Sequence, residues 1–200
     1  IDFGIMERCQ PVWLSDSNDA TERLRIQHNA SIFLPLAVTG SHVGPRTCHT
    51  SGRTLDIRFR AWVAAHRHMG FEMDPRELTE DEAQVLRDVT GWWRHNRDWM
   101  HGADILRLDS ADPSVIAEQH LEQGGGQFVV FAGKAATSTQ IAPRPPRLTR
   151  LTPAARYRAE LVNRDDPAPL SPADIPPKSG PIVASGPSST YHGPPPHRAL

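Results

Sequence analysis

The sequence predicts an α/β region followed by an all-β region. Residues 1–101 alternate between short apolar runs and longer segments of helical periodicity, which is the pattern of βαβ units around a parallel sheet. After Gly102, short β-type runs are separated by glycine and proline clusters, and 14 of the 19 prolines lie at or beyond Pro143, where they disfavour helices. We therefore expect a small antiparallel β-sandwich domain over 102–187 and a disordered, proline-rich tail over 188–200.

The first two strand–helix pairs are predicted from short apolar runs. A strand over Pro11–Ser15 is followed by Asp19 and Glu22, whose spacing of three favours the start of a helix. A second strand is predicted over Leu36–Gly40. Apolar residues at helical spacing then predict a helix over Arg58–Met69.

The third pair begins with a strand over Phe71–Asp74. Thr79 and Glu82 then form a capping box, which predicts the start of the clearest helix in the chain. The apolar face of this helix is formed by Val85, Leu86, Val89, Trp92, Trp93 and Met100. The β-type runs of the second region are 105–108, 128–131 and 156–162, and the glycines at 124–126 predict a turn.

Composition excludes several classes of function. The chain has 200 residues and a formal net charge of -1, which gives no reason to expect a nucleic acid or an anionic membrane as partner. No apolar run approaches the roughly 20 residues that span a bilayer, and no signal peptide is visible in a sequence that begins as if inside a domain. Cys9 and Cys48 form no disulfide framework. A reduced, cytoplasmic protein fits best.

The candidate site lies where the predicted strands end, because parallel α/β folds place their chemistry at the carboxyl ends of strands. Asp16 is singled out by position, since it follows an apolar strand and precedes a helix, with Trp13 nearby. Burial against Trp13 would favour the protonated carboxyl that a proton donor needs, whereas the helix dipole would favour the anion. The alternative is that Asp16 or Asp19 is only a helix cap.

Other polar residues are weaker candidates. His42 is a candidate substrate-binding residue, or otherwise a hydrogen-bonded loop histidine. Glu72 is expected to be a salt-bridge partner or a residue that supports a site side chain without touching the substrate, and Asp74 to cap the turn at Pro75. We predict no metal and no cofactor, because no histidine pair with a convincing third ligand is present. The tryptophans at 92, 93 and 99 are predicted to be core residues and not a sugar platform.

The segment Val12–Gln27 resembles the acid/base segment of glycoside hydrolase family 36, whose members are mainly the larger microbial α-galactosidases. Three further segments resemble family motifs in the same order, namely Gly40–Gly44, His49–Arg53 and Gly70–Asp74. The opening Ile1–Gly4 also looks like the end of the family's glycine-rich loop. The resemblance is good over the first 108 residues and thin from there to about 186.

The resemblance implies that residues 1–101 are the last three βα units of a TIM (β/α)₈ barrel and that 102–187 are the C-terminal β domain. It implies that Asp16 is the general acid/base of a retaining α-galactosidase acting on melibiose- or raffinose-type sugars, α-galactoside oligosaccharides. The family's nucleophile belongs to an earlier strand that is not present here, so we expect this chain alone to be inactive. The full-length protein is expected to form a homo-oligomer.

Alternatives remain within and outside this family. Asn18 and Leu34 depart from the residues that are frequent in the family, which leaves the substrate preference open. An α-N-acetylgalactosaminidase or a galactosyl transferase of the same family would differ in loops outside this chain. A protein of another class, a noncatalytic carbohydrate-binding or assembly fragment, would use Asp16 only as a helix cap.

Overall fold

The computed structural model describes residues 4–8, 11–140, 146–163 and 182–185, the last four by their backbone alone. These residues form two compact units. The first unit contains the described residues up to 105 together with 120–131, and the second contains 106–119 together with the described residues from 132 onward. The domain boundaries predicted after residues 101 and 187 remain predictions.

A three-stranded parallel sheet lies in the first unit. Its strands are β1 (Val12–Trp13), β2 (Thr39–Val43) and β3 (His68–Phe71), and they are neighbours in sequence order. Trp13 is paired with Gly40, and residue 42 of β2 is paired with residue 70 of β3. Each successive pair of strands is joined through a helix, which confirms the predicted βαβ organisation.

Three α-helices accompany the sheet: α1 (Ala20–Ala30), α2 (Ile57–Ala65) and α3 (Glu80–His101). Each begins where a polar side chain accepts a hydrogen bond from a first-turn backbone amide, as helix N-termini require. The capping box predicted for α3 is present in full, because Thr79 and Glu82 each bond the other's backbone amide.

The core lies between α2, α3 and one face of the parallel sheet. Val43 of β2 is fully buried there, with the small residues Ala61, Ala64 and Ala65 of α2. On α3, the core residues are Leu86, Val89 and Trp93, with Val85 and Trp92 packed against them. The predicted apolar face of α3 is therefore confirmed, and Trp93 is a core residue.

Two predicted strands and one predicted helix are displaced. Leu36–Val38 forms a 3-10 turn after Pro35, so β2 begins at Thr39 and not at Leu36. Helix α2 ends at Ala65 and not at Met69, and β3 begins at His68 and not at Phe71. Met69 reaches the core from β3, and an apolar residue at that position fits either a helix or a strand.

The later strands are β4 (Asp104–Leu108), β5 (Val115–Leu121), β6 (Phe128–Lys134), β7 (Arg156–Ala159) and β8 (Ile182–Ser185). Strands β4, β5 and β6 form one sheet in that order, and β7 pairs antiparallel with β8. Sequence patterning missed β5 because its polar residues 118–120 are buried, which breaks the expected alternation. Strand β7 ends before the predicted limit at residue 162, and the predicted tail lies outside the described residues.

The predicted glycine turn connects β5 and β6. Gly125 has a φ of 70°, and its amide donates to the Glu122 carbonyl at 2.8 Å. Glycine adopts this left-handed conformation without the steric cost that a side chain would bring. In the part of the chain that the structure describes, no helix combines the length and apolarity needed to cross a bilayer.

Candidate functional site

Asp16 lies on the connection between β1 and α1, at the carboxyl edge of the parallel sheet. Its side chain is exposed, and it does not cap α1, because the N-cap of that helix is Asp19. The alternative that Asp16 serves as the helix cap is therefore wrong, whereas the capping role considered for Asp19 is confirmed. The sequence analysis considered burial of the Asp16 carboxyl against Trp13, but the described residues of this chain leave Asp16 exposed.

Asp19 is the fully buried anchor of this connection. One carboxylate oxygen accepts from the amides of Thr21 at 2.8 Å and Glu22 at 3.3 Å, and the other accepts from Ser51 Oγ at 2.7 Å and Arg53 Nη1 at 2.6 Å. Burial raises the pKa of Asp19, but these donors, led by the Ser51 hydroxyl, lower it below the ordinary 3.8. The carboxylate is therefore a structural anion.

The partners of Asp19 come from the loop that follows β2. This loop is a narrow turn closed by a bridge between Thr47 and Thr54. At its tip Gly52 has a φ of 69°, which explains a glycine there. The turn presents Ser51 and Arg53 to Asp19. The His49–Arg53 motif thus joins the loop after β2 to the start of α1.

Gly44 allows a second contact between the same two loops. A Cβ atom at this position would lie 2.8 Å from the Asn18 carbonyl oxygen and 2.9 Å from the Asn18 Cβ. Separations this short are sterically forbidden, so the close approach requires glycine. Asn18 is itself buried. The connection that carries Asp16 is therefore packed against the backbone that follows β2.

Trp13 and His42 form an aromatic pair beside Asp16. Their ring centroids are 4.3 Å apart and their planes differ by 8°. Trp13 is 44% exposed, whereas His42 is 2% exposed. The histidine lies on β2 and not in a loop, but it is hydrogen-bonded, as the alternative to a substrate-binding role expected. Of the two rings, Trp13 presents the larger area to solvent.

The imidazole of His42 has several polar neighbours at its Nε2 atom. Asn18 Oδ1 lies at 2.6 Å, Arg23 Nη2 at 2.8 Å and Glu72 Oε2 at 2.9 Å. Burial, and then the positive charge of Arg23, lower the pKa of His42 from 6.5 to about 4. His42 is therefore neutral at pH 7, and its contact with Glu72 is a hydrogen bond between a neutral ring and a carboxylate.

Glu72 follows β3, at the same edge of the sheet as Asp16. Its side chain is 50% exposed and reaches His42, which agrees with the expected partner role. Asp74 accepts from the Arg76 amide at 2.9 Å at the start of the 3-10 turn Pro75–Glu77, so the predicted cap is confirmed. Within the described ranges, no three His, Cys, Asp or Glu side chains group closely enough to hold a metal ion.

Arg23 is the main site residue that sequence reasoning missed. It lies on α1, is 2% exposed, and its Nη2 atom approaches the backbone carbonyls of Ser15 and Ser17, which flank Asp16. The sequence signal was weak, because an arginine within a helix is usually on the solvated face. The one indication in the sequence was its spacing of four residues from Asp19, about one helical turn, which places it near the connection between β1 and α1.

These features define a class of protein. It is an α/β protein that carries an exposed carboxylate at the carboxyl edge of its parallel sheet, on a connection that neighbouring loops hold in place. Residues 1–102 match the family model described as Melibiase, and the chain belongs to that family. Membership confirms the resemblance to glycoside hydrolase family 36 that the sequence motifs indicated.

The chain is similar to proteins and solved structures that are named α-galactosidases. The α-galactosidase of Escherichia coli is 31% identical over 166 residues, which are 83% of this chain and 23% of that protein. The crystal structure of the α-galactosidase from Lactobacillus brevis has a TM-score of 0.75 at 23% identity, covering 96% of this chain and 24% of that chain. A variant of the GH36 α-galactosidase AgaA from Geobacillus stearothermophilus, solved in complex with raffinose, has a TM-score of 0.70 at 24% identity, covering 92% of this chain and 23% of that chain. The chain thus spans about a quarter of the length of these proteins.

Proposed function

We propose that this chain is part of a retaining α-galactosidase, in which residues 1–101 are the last three βα units of a TIM (β/α)₈ barrel and 102–187 are a C-terminal β domain. Family membership and the names of the relatives support the activity. Strands that pair in sequence order through intervening helices support the barrel, because a (β/α)₈ barrel is built from such consecutive units.

Asp16 is the general acid/base in this proposal. The observation that carries it is that Asp16 is an exposed carboxylate at the carboxyl edge of the sheet, while the neighbouring Asp19 performs the capping. Its loop is held through Asp19 and Arg23. A proton donor must be accessible to the leaving oxygen and fixed in direction, and this arrangement meets both needs.

The reaction has two steps in a retaining enzyme. A carboxylate nucleophile, which we expect on another strand outside this chain, forms a bond to the anomeric carbon, while the glycosidic C–O bond breaks and Asp16 gives its proton to the departing oxygen. In the second step Asp16 takes a proton from water, the water oxygen bonds to the anomeric carbon, and the nucleophile is released. Retention requires the two carboxyl groups about 5–5.5 Å apart.

His42 has a supporting position in this proposal. At 2% exposure it is shielded beneath Trp13, so a direct contact with sugar is not what we propose for it. Trp13, exposed beside Asp16, is the better placed of the two to meet a sugar face.

The substrates that we propose are terminal α-galactosides of the raffinose type, because the AgaA variant with a similar fold was solved with raffinose. The interacting molecules are thus α-galactoside oligosaccharides, with neither nucleic acid nor membrane as partner. A homo-oligomer of the full-length protein and a cytoplasmic location are further parts of the proposal; the near-neutral charge and the sparse cysteines support the location.

The test is an Asp16→Ala substitution in the intact protein that contains this chain. Turnover of raffinose, which has a poor leaving group, is expected to fall ~10³-fold or more, since general acid catalysis is worth about 10²–10⁴-fold. An activated aryl α-galactoside needs little proton donation and should lose much less in the first step. Added azide should restore turnover of the aryl α-galactoside, because azide attacks the glycosyl-enzyme without base assistance. The product should be α-galactosyl azide.

Asp74→Asn is the matched control, because Asp74 is a carboxylate near the end of β3 that is engaged as a cap. This variant should leave the ratio between the two substrates unchanged. If Asp16→Ala reduces raffinose and aryl galactoside equally and azide has no effect, Asp16 is not the acid/base.

A further inference from the structure

Arg23 of α1 contacts both backbone carbonyls that flank the candidate acid. Arg23 Nη2 lies 3.0 Å from the Ser15 carbonyl oxygen and makes a short hydrogen bond to the Ser17 carbonyl oxygen. Asp16 is the residue between them. One guanidinium nitrogen therefore fixes the backbone on both sides of Asp16.

Counting hydrogen atoms defines the state of His42. Arg23 Nη2 carries two hydrogens, and the carbonyls of Ser15 and Ser17 are acceptors that take both. Nε2 of neutral His42 also faces two acceptors, Asn18 Oδ1 and Glu72 Oε2. The consistent arrangement places the ring hydrogen on Nε2, donated toward these oxygens. Arg23 Nη2, which lies 2.8 Å from Nε2, is then a donor facing another donor, so this contact is not a hydrogen bond.

The charge of Arg23 needs compensation, because a guanidinium that is 2% exposed has lost most of its hydration. Burial lowers the pKa of Arg23 to about 10, and Glu72, followed by Asp16, acts in the opposite direction. Glu72 Oε2 and Arg23 Nη2 lie 2.9 and 2.8 Å from the same atom, His42 Nε2, so the Glu72 carboxylate is close enough to compensate the guanidinium charge. Glu22, on the same helix, is engaged with the Ser17 hydroxyl at 2.9 Å.

We propose that Arg23 is a positioning residue for Asp16 and that Glu72 is the permanent counter-charge of Arg23, which leaves Asp16 able to exchange its proton. This inference rests on the acid/base role proposed for Asp16. An acid/base residue must be neutral in one step and anionic in the next. With Asp16 as the principal anion beside Arg23, protonation would leave the buried cation poorly compensated. Glu72 removes that conflict.

The consequence is specific for each variant. Glu72→Gln removes the counter-charge, so the Asp16 anion gains importance and proton donation becomes harder. The basic limb of the kcat/KM profile should then move to lower pH, and raffinose should lose more rate than an aryl galactoside. Arg23→Lys keeps a positive charge but cannot reproduce the guanidinium contacts, so kcat should fall ~10- to 100-fold, as misplaced catalytic groups do, with a smaller change in KM.

The experiment measures pH profiles of the intact protein on raffinose and on 4-nitrophenyl α-galactoside for both variants. Glu77→Gln and Arg25→Lys are matched controls on exposed residues of the same segments. Thermal midpoints establish that each variant is folded. Because Glu72 is half exposed, its variant tests the proposal even where Arg23→Lys fails to fold.

The expected result is a basic limb displaced by at least ~0.5 pH units in Glu72→Gln, with the control profiles superimposed on the wild type. An unchanged limb together with an unchanged substrate ratio in this variant overturns the proposal. The two proposals are separable, because Asp16→Ala with azide tests the acid/base role directly. If that role holds while the Glu72→Gln profile is unchanged, only the counter-charge inference is wrong.

Discussion

Trp13 and His42 stack face to face across neighbouring strands, with ring centroids 4.3 Å apart. The tryptophan covers a histidine whose Nε2 atom is already within hydrogen-bond distance of Arg23 and Glu72. The stack therefore does two things. It fixes the ring that lies against both of these charges, and it keeps water from the imidazole face, which favours the neutral form of His42.

The first prediction concerns the protonation of His42. Burial and Arg23 lower its pKa in the folded protein to about 4, against 6.5 for the free side chain. The unfolded chain binds the proton more readily, so the associated stability is complete above pH 6.5 and is lost as the pH falls from 6.5 toward 4. In the intact protein with ring-labelled histidines, the His42 signal, assigned by comparison with His42→Gln, should not titrate between pH 8 and 5.5. A midpoint near 6.5 would contradict the burial of this ring.

The second prediction concerns Asp19. Asp19→Ala removes the helix cap and leaves Ser51 and Arg53 without their acceptor, so we expect a loss of about 2–3 kcal/mol. Ser51→Ala removes only one of the donors to Asp19, together with a 3.3 Å contact from the Arg53 amide, and should cost about 1 kcal/mol. Calorimetry of the intact protein gives the comparison. Equal and small losses for the two variants would mean that Asp19 does not join the two loops.

The third prediction concerns the pair formed by Arg46 and Glu82, which are joined by hydrogen bonds of 2.5 and 3.2 Å. These bonds, with the Thr79 amide, lower the pKa of Glu82 from 4.5 to about 2. The resulting stability is present above pH 4.5 and is lost as the pH falls toward 2. Because Arg46 is half exposed, we expect Glu82→Gln to cost only about 1–2 kcal/mol at pH 7.

Glutamine preserves the capping geometry, so the loss in Glu82→Gln should decrease below pH 4.5. Thr79→Ala is the comparison, because it removes the other half of the capping box and should destabilise α3 at every pH. Acid unfolding curves of the wild type, Glu82→Gln and Thr79→Ala distinguish a loss of stability that depends on pH from one that does not. A penalty for Glu82→Gln that does not change with pH would exclude the charge contribution.

The parts of the fold that depend on local pattern were predictable from sequence. The capping box at Thr79 and Glu82 and the apolar face of α3 are visible as spacing, and the structure confirms both. The boundary between α2 and β3 was not predictable, because Met69 suits a helix face and a strand equally. Strand β5 was missed for a related reason, since its buried polar residues depend on tertiary contacts that patterning does not reveal, such as the bonds between Gln119 and the Thr149 backbone.

The site shows the same division. Asp16 was found from its position at a strand end, and the motif around it indicated the family. The supporting residues were not found, because the roles of Arg23, Ser51 and Arg53 depend on contacts between separate loops. Such roles follow from tertiary structure, and the spacing of Arg23 from Asp19 is too weak a signal to separate a buried arginine from a solvated one.

The close approach at Gly44 has a consequence for recombination between relatives. The backbone beyond β2 leaves no room for a side chain against Asn18. The connection bearing Asp16 and the turn that follows β2 should therefore come from the same parent protein. A chimera whose breakpoint falls between residues 19 and 44 would combine halves shaped for different neighbours. Crossovers placed before β1 or after residue 54 keep these two segments together.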